Sequence, residues 1–220
     1  MIDKRVNSIA EALAGIKDGS TILVGGFGNA GSPVALLEAM IDQGAKELTI
    51  VSNNAGEGDF GLAKLMKTGA IRKVICTYPR SAGSVVFEDL YEQGKIELEV
   101  VPQGTLSERM RAAGAGIGGF YTPTSAGTLL GEGKETREFE GRVHVLEQPL
   151  KGDVALVKAR LADRWGNLTY NKSARNFGPV MAMAAELTIA QVDQFVELGE
   201  LDPELIVTPG LFVDRVVEVS

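Results

Sequence analysis

The sequence predicts an α/β protein with an open, mostly parallel sheet flanked by helices and a small antiparallel insert. Three observations carry this. Short apolar runs bounded by turn residues recur at 22–24, 48–51 and 73–77, as expected of strands buried on both faces. Stretches with helical spacing lie between them, so strand and helix alternate as in a parallel sheet with right-handed crossovers. No linker, repeat or charge block divides the chain, so residues 1–220 are expected to form one domain, long enough to bury a full core.

In chain order, residues 8–16 place Ile9, Ala12, Leu13 and Ile16 on one helical stripe, which Lys17-Asp18-Gly19 ends. The strand Ile22-Leu23-Val24 stops at Gly25-Gly26, where the missing Cβ atoms permit close approaches. Ser32 offers an N-cap oxygen and Pro33 suits the first position of a helix running to Gln43. A strand at 48–51, a helix at 61–68, a strand at 73–77 and a helix at 85–92 follow. A strand at 96–101 and a helix at 105–112 complete the alternation. From 114 to 133, seven glycines and Pro123 leave little room for regular structure, and a loop of that length is usually functional or an interface. Residues 137–147 read as antiparallel strands about Glu140-Gly141, with Arg137, Glu138, Glu140 and Arg142 on a wet face. The last third gives strands at 154–159, 168–170 and 187–192, a turn at 163–167 and a small-residue helix at 179–185. Strand candidates at 206–207 and 213–219 close the chain.

Composition narrows the function. The formal net charge of −7, with no basic stripe, argues against nucleic acid as a partner. No apolar stretch reaches membrane length and residues 1–5 open no apolar signal region, so a soluble, cytoplasmic protein is expected. Cys76 is the only cysteine and His144 the only histidine. No disulfide framework and no metal site are expected, and Cys76 reads as a small buried hydrophobe.

The chemistry centres on three polar turns. Strand, glycine turn and helix start at 22–33 aim N–H groups and a positive helix end at one spot, which favours an anion or a developing oxyanion. The residues 26–31 fit the bare G-x-G-x-x-G pattern, but no Gly-Lys-Ser/Thr follows and the second strand does not end in an acidic residue. The P-loop reading is excluded and the dinucleotide reading weakened. Ser52-Asn53-Asn54-Ala55-Gly56 and Val101-Pro102-Gln103-Gly104 lie at the carboxyl ends of strands, where such sheets place their ligand crevice. Asn53 and Gln103 either satisfy their own turns, Gln103 as a cap for the helix from 105, or donate to a substrate oxygen without adding charge. Glu57 and Asp59 read as solvated loop carboxylates. Arg80 follows a strand end as a surface residue or as a partner for a substrate carboxylate.

These segments resemble the alpha (A) subunits of family I CoA-transferases of the 3-oxoacid and 3-oxoadipate type. The first signature is satisfied from Asp18-Gly19 through Gly25-Gly26-Phe27 to Gly31 and Pro33. The 52–56 and 101–106 turns match as well, as do Tyr121-Thr122-Pro123-Thr124, Gly133-Lys134-Glu135, Ser173-Ala174-Arg175-Asn176 and Thr208-Pro209-Gly210. The resemblance implies a fold of the CoA-transferase/NagB-like kind. It also implies ping-pong transfer of CoA from succinyl-CoA to a 3-oxo acid, with CoA as substrate and no tightly bound cofactor. The nucleophile would be a glutamate on a beta (B) subunit, in a Ser-Glu-Asn-Gly motif, carrying CoA as a thioester. Asn53 stands here where that glutamate would be, so the chain is expected to act only in a hetero-oligomer with its B partner. By the same resemblance, Val24, Gly25, Gly26, Phe27, Gly28, Asn29 and Ala30 form the loop contacting CoA or the oxyanion. Asn53 and Gln103 face the acyl oxygens of the partner's glutamate. The stretches 76–80, 163–170 and 177–179 favour 3-oxoadipate over acetoacetate as acceptor, with Arg80 expected on its distal carboxylate. Two other readings stay open: a non-catalytic acyl-CoA-binding module, and a sugar-phosphate isomerase on a related fold, for which no persuasive acid–base pair is found.

Overall fold

The computed structural model describes residues 1–80 and 85–219. Its first part runs α1 (Ile9–Ala12), β1 (Thr21–Val24), α2 (Val34–Gln43), β2 (Leu48–Asn54), α3 (Gly61–Lys67), β3 (Ile71–Tyr78), α4 (Val85–Glu92), β4 (Glu97–Val100) and α5 (Gln103–Gly114). Three short strands follow: β5 (Phe120–Thr122), β6 (Thr136–Phe139) and β7 (Arg142–Glu147). The last part is β8 (Gly152–Ala162), β9 (Leu168–Thr169), α6 (Gly178–Ala184), β10 (Ala185–Phe195) and β11 (Arg215–Glu218).

The main sheet has the order β11-β10-β8-β1-β2-β3-β4, parallel throughout, with β9 antiparallel on β8. Strands β1 to β4 step outward one way and β8, β10 and β11 step the other. The order therefore reverses beside β1, and the crevice beyond the strand ends at such a reversal is where open α/β sheets bind ligands. Strands β5, β7 and β6 form the separate antiparallel sheet. Its hairpin turns at Glu140 (φ 49°) and Gly141 (φ 76°), two successive positive φ values that match the right-handed twist of the strands they join.

Period-two alternation divides the core. Ile22, Val24, Leu48, Ile50, Val74 and Cys76 point to the face covered by α1 to α4, where Leu36, Leu37, Met40, Leu65 and Phe87 are buried with them. Leu23, Val51 and Ile75 point to the other face, against Leu106 and Met110 of α5 and Met181 of α6. Each such side chain contributes roughly 1.5–3 kcal/mol on burial. Cys76 is fully buried in the first layer, and burial pushes its thiol up to about 12, so it remains protonated.

Several boundaries differ from the expectations, for physical reasons. The first helix stops after one turn, because Leu13 closes it and Gly15 (φ 89°) redirects the chain, yet Leu13 and Ile16 still reach the core. Ser32 does not cap α2; Pro33, at ψ 63°, holds the N-cap position and no side chain caps the helix. Strand β2 continues through Asn53 and Asn54, because β3 pairs with it as far as Asn54↔Tyr78. Helix α5 begins at Gln103 and not at 105, so Gln103 is no cap for it. Strands β8 and β10 extend beyond their apolar middles to 11 residues each, held by their mutual ladder. The candidate strand at 206–207 is absent: a 3-10 turn at Pro203–Leu205 precedes it, and the chain there pairs only through the isolated Leu168↔Thr208 bridge among the described residues. Within 114–133 the loop carries β5 and a 3-10 turn at Leu129–Gly131. Among the described residues no helix is long and apolar enough to cross a membrane.

Candidate functional site

The glycine turn leaves β1 at the reversal point of the sheet. The Gly25 amide donates to Leu156 O (2.9 Å), continuing the ladder to β8. Phe27 and Ala30 then pair with each other in both directions (3.0 and 3.2 Å), closing a two-residue hairpin over Gly28 and Asn29. Of the two tip residues only Gly28 has positive φ (56°), the arrangement that requires glycine at the first turn position. Asn176 ties the two legs together: its Oδ1 accepts from Gly26 N (3.0 Å) and its Nδ2 donates to Ala30 O (2.8 Å). The expectation of a loop rich in free N–H groups is therefore narrowed. The amides of Gly25, Gly26, Phe27 and Ala30 are used internally, whereas those of Gly28 and Asn29 bond no other described residue.

Alternation along the strands builds the second part of the site. Asn53 follows Val51 on the α5 face of β2, and Thr77 follows Ile75 on the same face of β3. Helix α5 covers that face and starts with Gln103, so three polar side chains converge. Gln103 Nε2 donates to Asn53 Oδ1 at 2.7 Å. The Thr77 hydroxyl lies 2.9 Å from both the carbonyl oxygen and Oδ1 of Asn53 and directs its single proton between them. Asn53 is only 5 % exposed, while Gln103 is exposed at the mouth. With Oδ1 engaged twice, Nδ2 is the end of the Asn53 amide left to donate.

Two adjoining cavities contain most of the expected residues. A narrow slot of about 30 Å³ is lined by Val24, Gly25, Gly26, Gly28, Asn29 and Asn53, with Ser52, Glu57 and Phe60 among the others. A wider groove of about 500 Å³ is lined by Phe27, Gly28, Asn53, Asn54, Thr77, Tyr78 and Gln103. Its hydrogen-bonding groups are neutral amides, hydroxyls and backbone. Ala30 lies on the far side of the loop, in a different groove with Lys158, Arg160 and Asn171. Arg80 lines neither cavity; its side chain is 80 % exposed and Nε pairs with Glu88 Oε1 at 2.7 Å. Asp59 is exposed, as expected of a solvated loop carboxylate. Sequence reasoning assigned no role to Thr77 or Asn176. For Thr77 the missed signal is its two-residue spacing from buried Ile75; for Asn176 it is the carboxamide just before Phe177-Gly178-Pro179, where α6 begins.

The sequence pattern of proteins described as coenzyme A transferase matches residues 6–219. The chain belongs to the coenzyme A transferase family. It is 65 % identical over 220 residues to a Pseudomonas putida protein named as the A subunit of 3-oxoadipate CoA-transferase, covering all of this chain and 95 % of that one. It is 50 % identical to a Bacillus subtilis protein named as the A subunit of a probable succinyl-CoA:3-ketoacid coenzyme A transferase, over 97 % of this chain and 89 % of that one. Among solved structures, an acyl-CoA transferase apoenzyme from Escherichia coli O157:H7 superposes with a TM-score of 0.88 at 25 % identity, covering 99 % of this chain. The present chain spans 47 %, about half, of that polypeptide. The coenzyme A transferase fold thus places the glycine loop, Asn53 and Gln103 at one sheet edge.

Proposed function

We propose that this chain is the A subunit of a cytoplasmic 3-oxoadipate CoA-transferase, moving CoA from succinyl-CoA to 3-oxoadipate with a B subunit that carries the catalytic glutamate. The observation that carries this reading is the 2.7 Å bond between Gln103 and Asn53 in a groove of neutral donors, in a chain so similar to named A subunits. The partner's carboxylate attacks the thioester carbonyl, and CoA leaves as the thiolate, giving a mixed anhydride. The thiolate then attacks the glutamyl carbonyl, releasing succinate and leaving the enzyme thioester; the acceptor reverses both steps. Each attack places charge on a carbonyl oxygen. The Asn53 Nδ2 group and the Gly28 and Asn29 amides donate to it, and a well-aimed donor contributes roughly 2.7–4 kcal/mol of transition-state stabilisation. A neutral Asn53 also spares the partner's glutamate a neighbouring carboxylate, which would raise its pKa and deplete the nucleophile.

Arg80 is the residue proposed to read the distal carboxylate of 3-oxoadipate, exchanging Glu88 for substrate. The test is to mix this chain with its B partner and to assay succinyl-CoA against 3-oxoadipate and against acetoacetate. Turnover is expected only in the mixture, faster with 3-oxoadipate, and Arg80→Ala should raise KM for 3-oxoadipate selectively. Turnover by the isolated chain would overturn the division of labour. A preference for acetoacetate would shift the assignment towards the succinyl-CoA:3-ketoacid relatives, and equal KM changes for both acceptors would remove Arg80 from the reading.

A further inference from the structure

We infer that Asn176 is a positioning residue for the transfer reaction, acting through the glycine loop. This rests on the function proposed above. Asn176 lines neither the slot nor the groove, so it acts at a distance from substrate. Its carboxamide bonds both legs of the hairpin, Gly26 N before the tip and Ala30 O after it. The same side chain is fixed from its own segment: Oδ1 also accepts from Phe177 N (2.7 Å), and Nδ2 also donates to Ala174 O (3.1 Å). Accepting from one leg while donating to the other uses both ends of the carboxamide, and a carboxylate or an alkyl chain does not offer that pair of functions.

Two further observations show how closely the loop and its anchor are fitted. The Asn176 backbone has φ 20° and ψ −111°, outside the regions side chains favour, so the surrounding bonds hold it there. At Gly31 (φ 73°) a Cβ would overlap the Ala174 carbonyl oxygen and lie 3.0 Å from Asn176 Nδ2. The loop therefore sits flush on the segment Lys172–Arg175. With both legs pinned, the free amides of Gly28 and Asn29 are held in one orientation at the site. A loop released from Asn176 would still admit acyl-CoA but would aim those donors poorly, so the loss should appear in the chemical step.

The test uses the complex with the B partner and two variants of this chain. Asn176→Gly tolerates the unusual backbone conformation while removing every side-chain bond; Asn176→Asp keeps the acceptors and loses the donor to Ala30. Single-turnover formation of the enzyme–CoA thioester should slow at least about tenfold in both, with KM for succinyl-CoA within about threefold of wild type. Hydrogen exchange at the Gly26 amide should accelerate in Asn176→Gly, and this reads the anchor independently of activity. A wild-type rate in Asn176→Gly, or a loss that tracks only the fraction of folded complex, would overturn the role. An inert wild-type complex would instead overturn the transfer reading, and this role with it.

Discussion

The two polar turns that form the site use their hydrogen bonds in opposite ways. After β1, four of the six backbone amides from Gly25 to Ala30 are consumed within the protein: Gly25 by Leu156, Gly26 by Asn176, and Phe27 and Ala30 by each other. After β2, the shape is held by side chains, and it is the acceptor end of Asn53 that is consumed, by Gln103 and Thr77. The first turn is a rigid frame with two donors left at its tip. The second is a network that fixes the orientation of a single amide. Under the proposed function such a site gains from both, because donors that are already aimed need no reorganisation when charge appears.

The largest expected effect breaks the second turn without disturbing its bonds. In Asn53→Asp the carboxylate still accepts from Gln103 and Thr77, but the outward donor is gone and a negative charge takes its place. Steady-state assays of the complex should show kcat reduced about 10²–10³-fold, with the acid limb of the pH–rate profile moved upward. A kcat within threefold of wild type would remove Asn53 from the chemistry. Next comes Gly31→Ala, which forces positive φ and a clash with Ala174 and should destabilise by about 2–3 kcal/mol in urea titration. Gly28→Ala sharpens the contrast: φ is also positive there, but nothing lies within 4 Å, so about 1 kcal/mol is expected. Thr77→Val removes the proton shared with Asn53, for a loss of about 1 kcal/mol and a modest fall in kcat.

The smallest effect is a control on β4, outside both turns. Burial works against ionisation of Glu99, yet its hydrogen bonds and charge pairs with Lys73 (2.6 Å) and Arg109 (3.2 Å) outweigh it and lower the pKa. A lowered carboxylate stabilises the fold above its unfolded pKa, and that contribution is lost as pH falls through the folded value. Glu99→Gln should therefore be less stable than wild type at pH 7, by under about 1 kcal/mol once solvent screening of these partly exposed ion pairs is allowed for, with the gap closing in acid. A gap that does not narrow as the pH is lowered through the carboxylate range, measured by thermal melts, would assign the effect to packing.

What the sequence disclosed depended on how local the cause was. The helices at 61–67 and 85–92 and the strand at 22–24 were legible because a few neighbouring residues determine them. The hairpin at Glu140-Gly141 was legible for the same reason. The outer ends of β8 and β10 were not, since the apolar runs stop at Ala159 and Val192, and only the nine paired positions between the strands show that the chain stays extended beyond them. Ser32 misled because its identity fits a cap, while the backbone course through Gly31 and Pro33 puts Pro33 and not Ser32 at the N-cap position. In the site, Asn53 and Gln103 were found from strand-end position and resemblance. The part played by Thr77 follows from the β2–β3 register, and the Gln103–Asn53 bond from the seating of α5 over that face; no local window contains either.

That Gly26 is held by a residue 150 positions further along has a consequence for synthesis. As the polypeptide leaves the ribosome, β1 can meet β2 at once, but its other neighbour, β8, emerges some 130 residues later, as the Ile22↔Val154 pairing requires. The carboxamide that shapes the hairpin appears later still. A nascent chain thus carries the edge of its central strand exposed for most of its translation, and the geometry of the candidate site is among the last features to set.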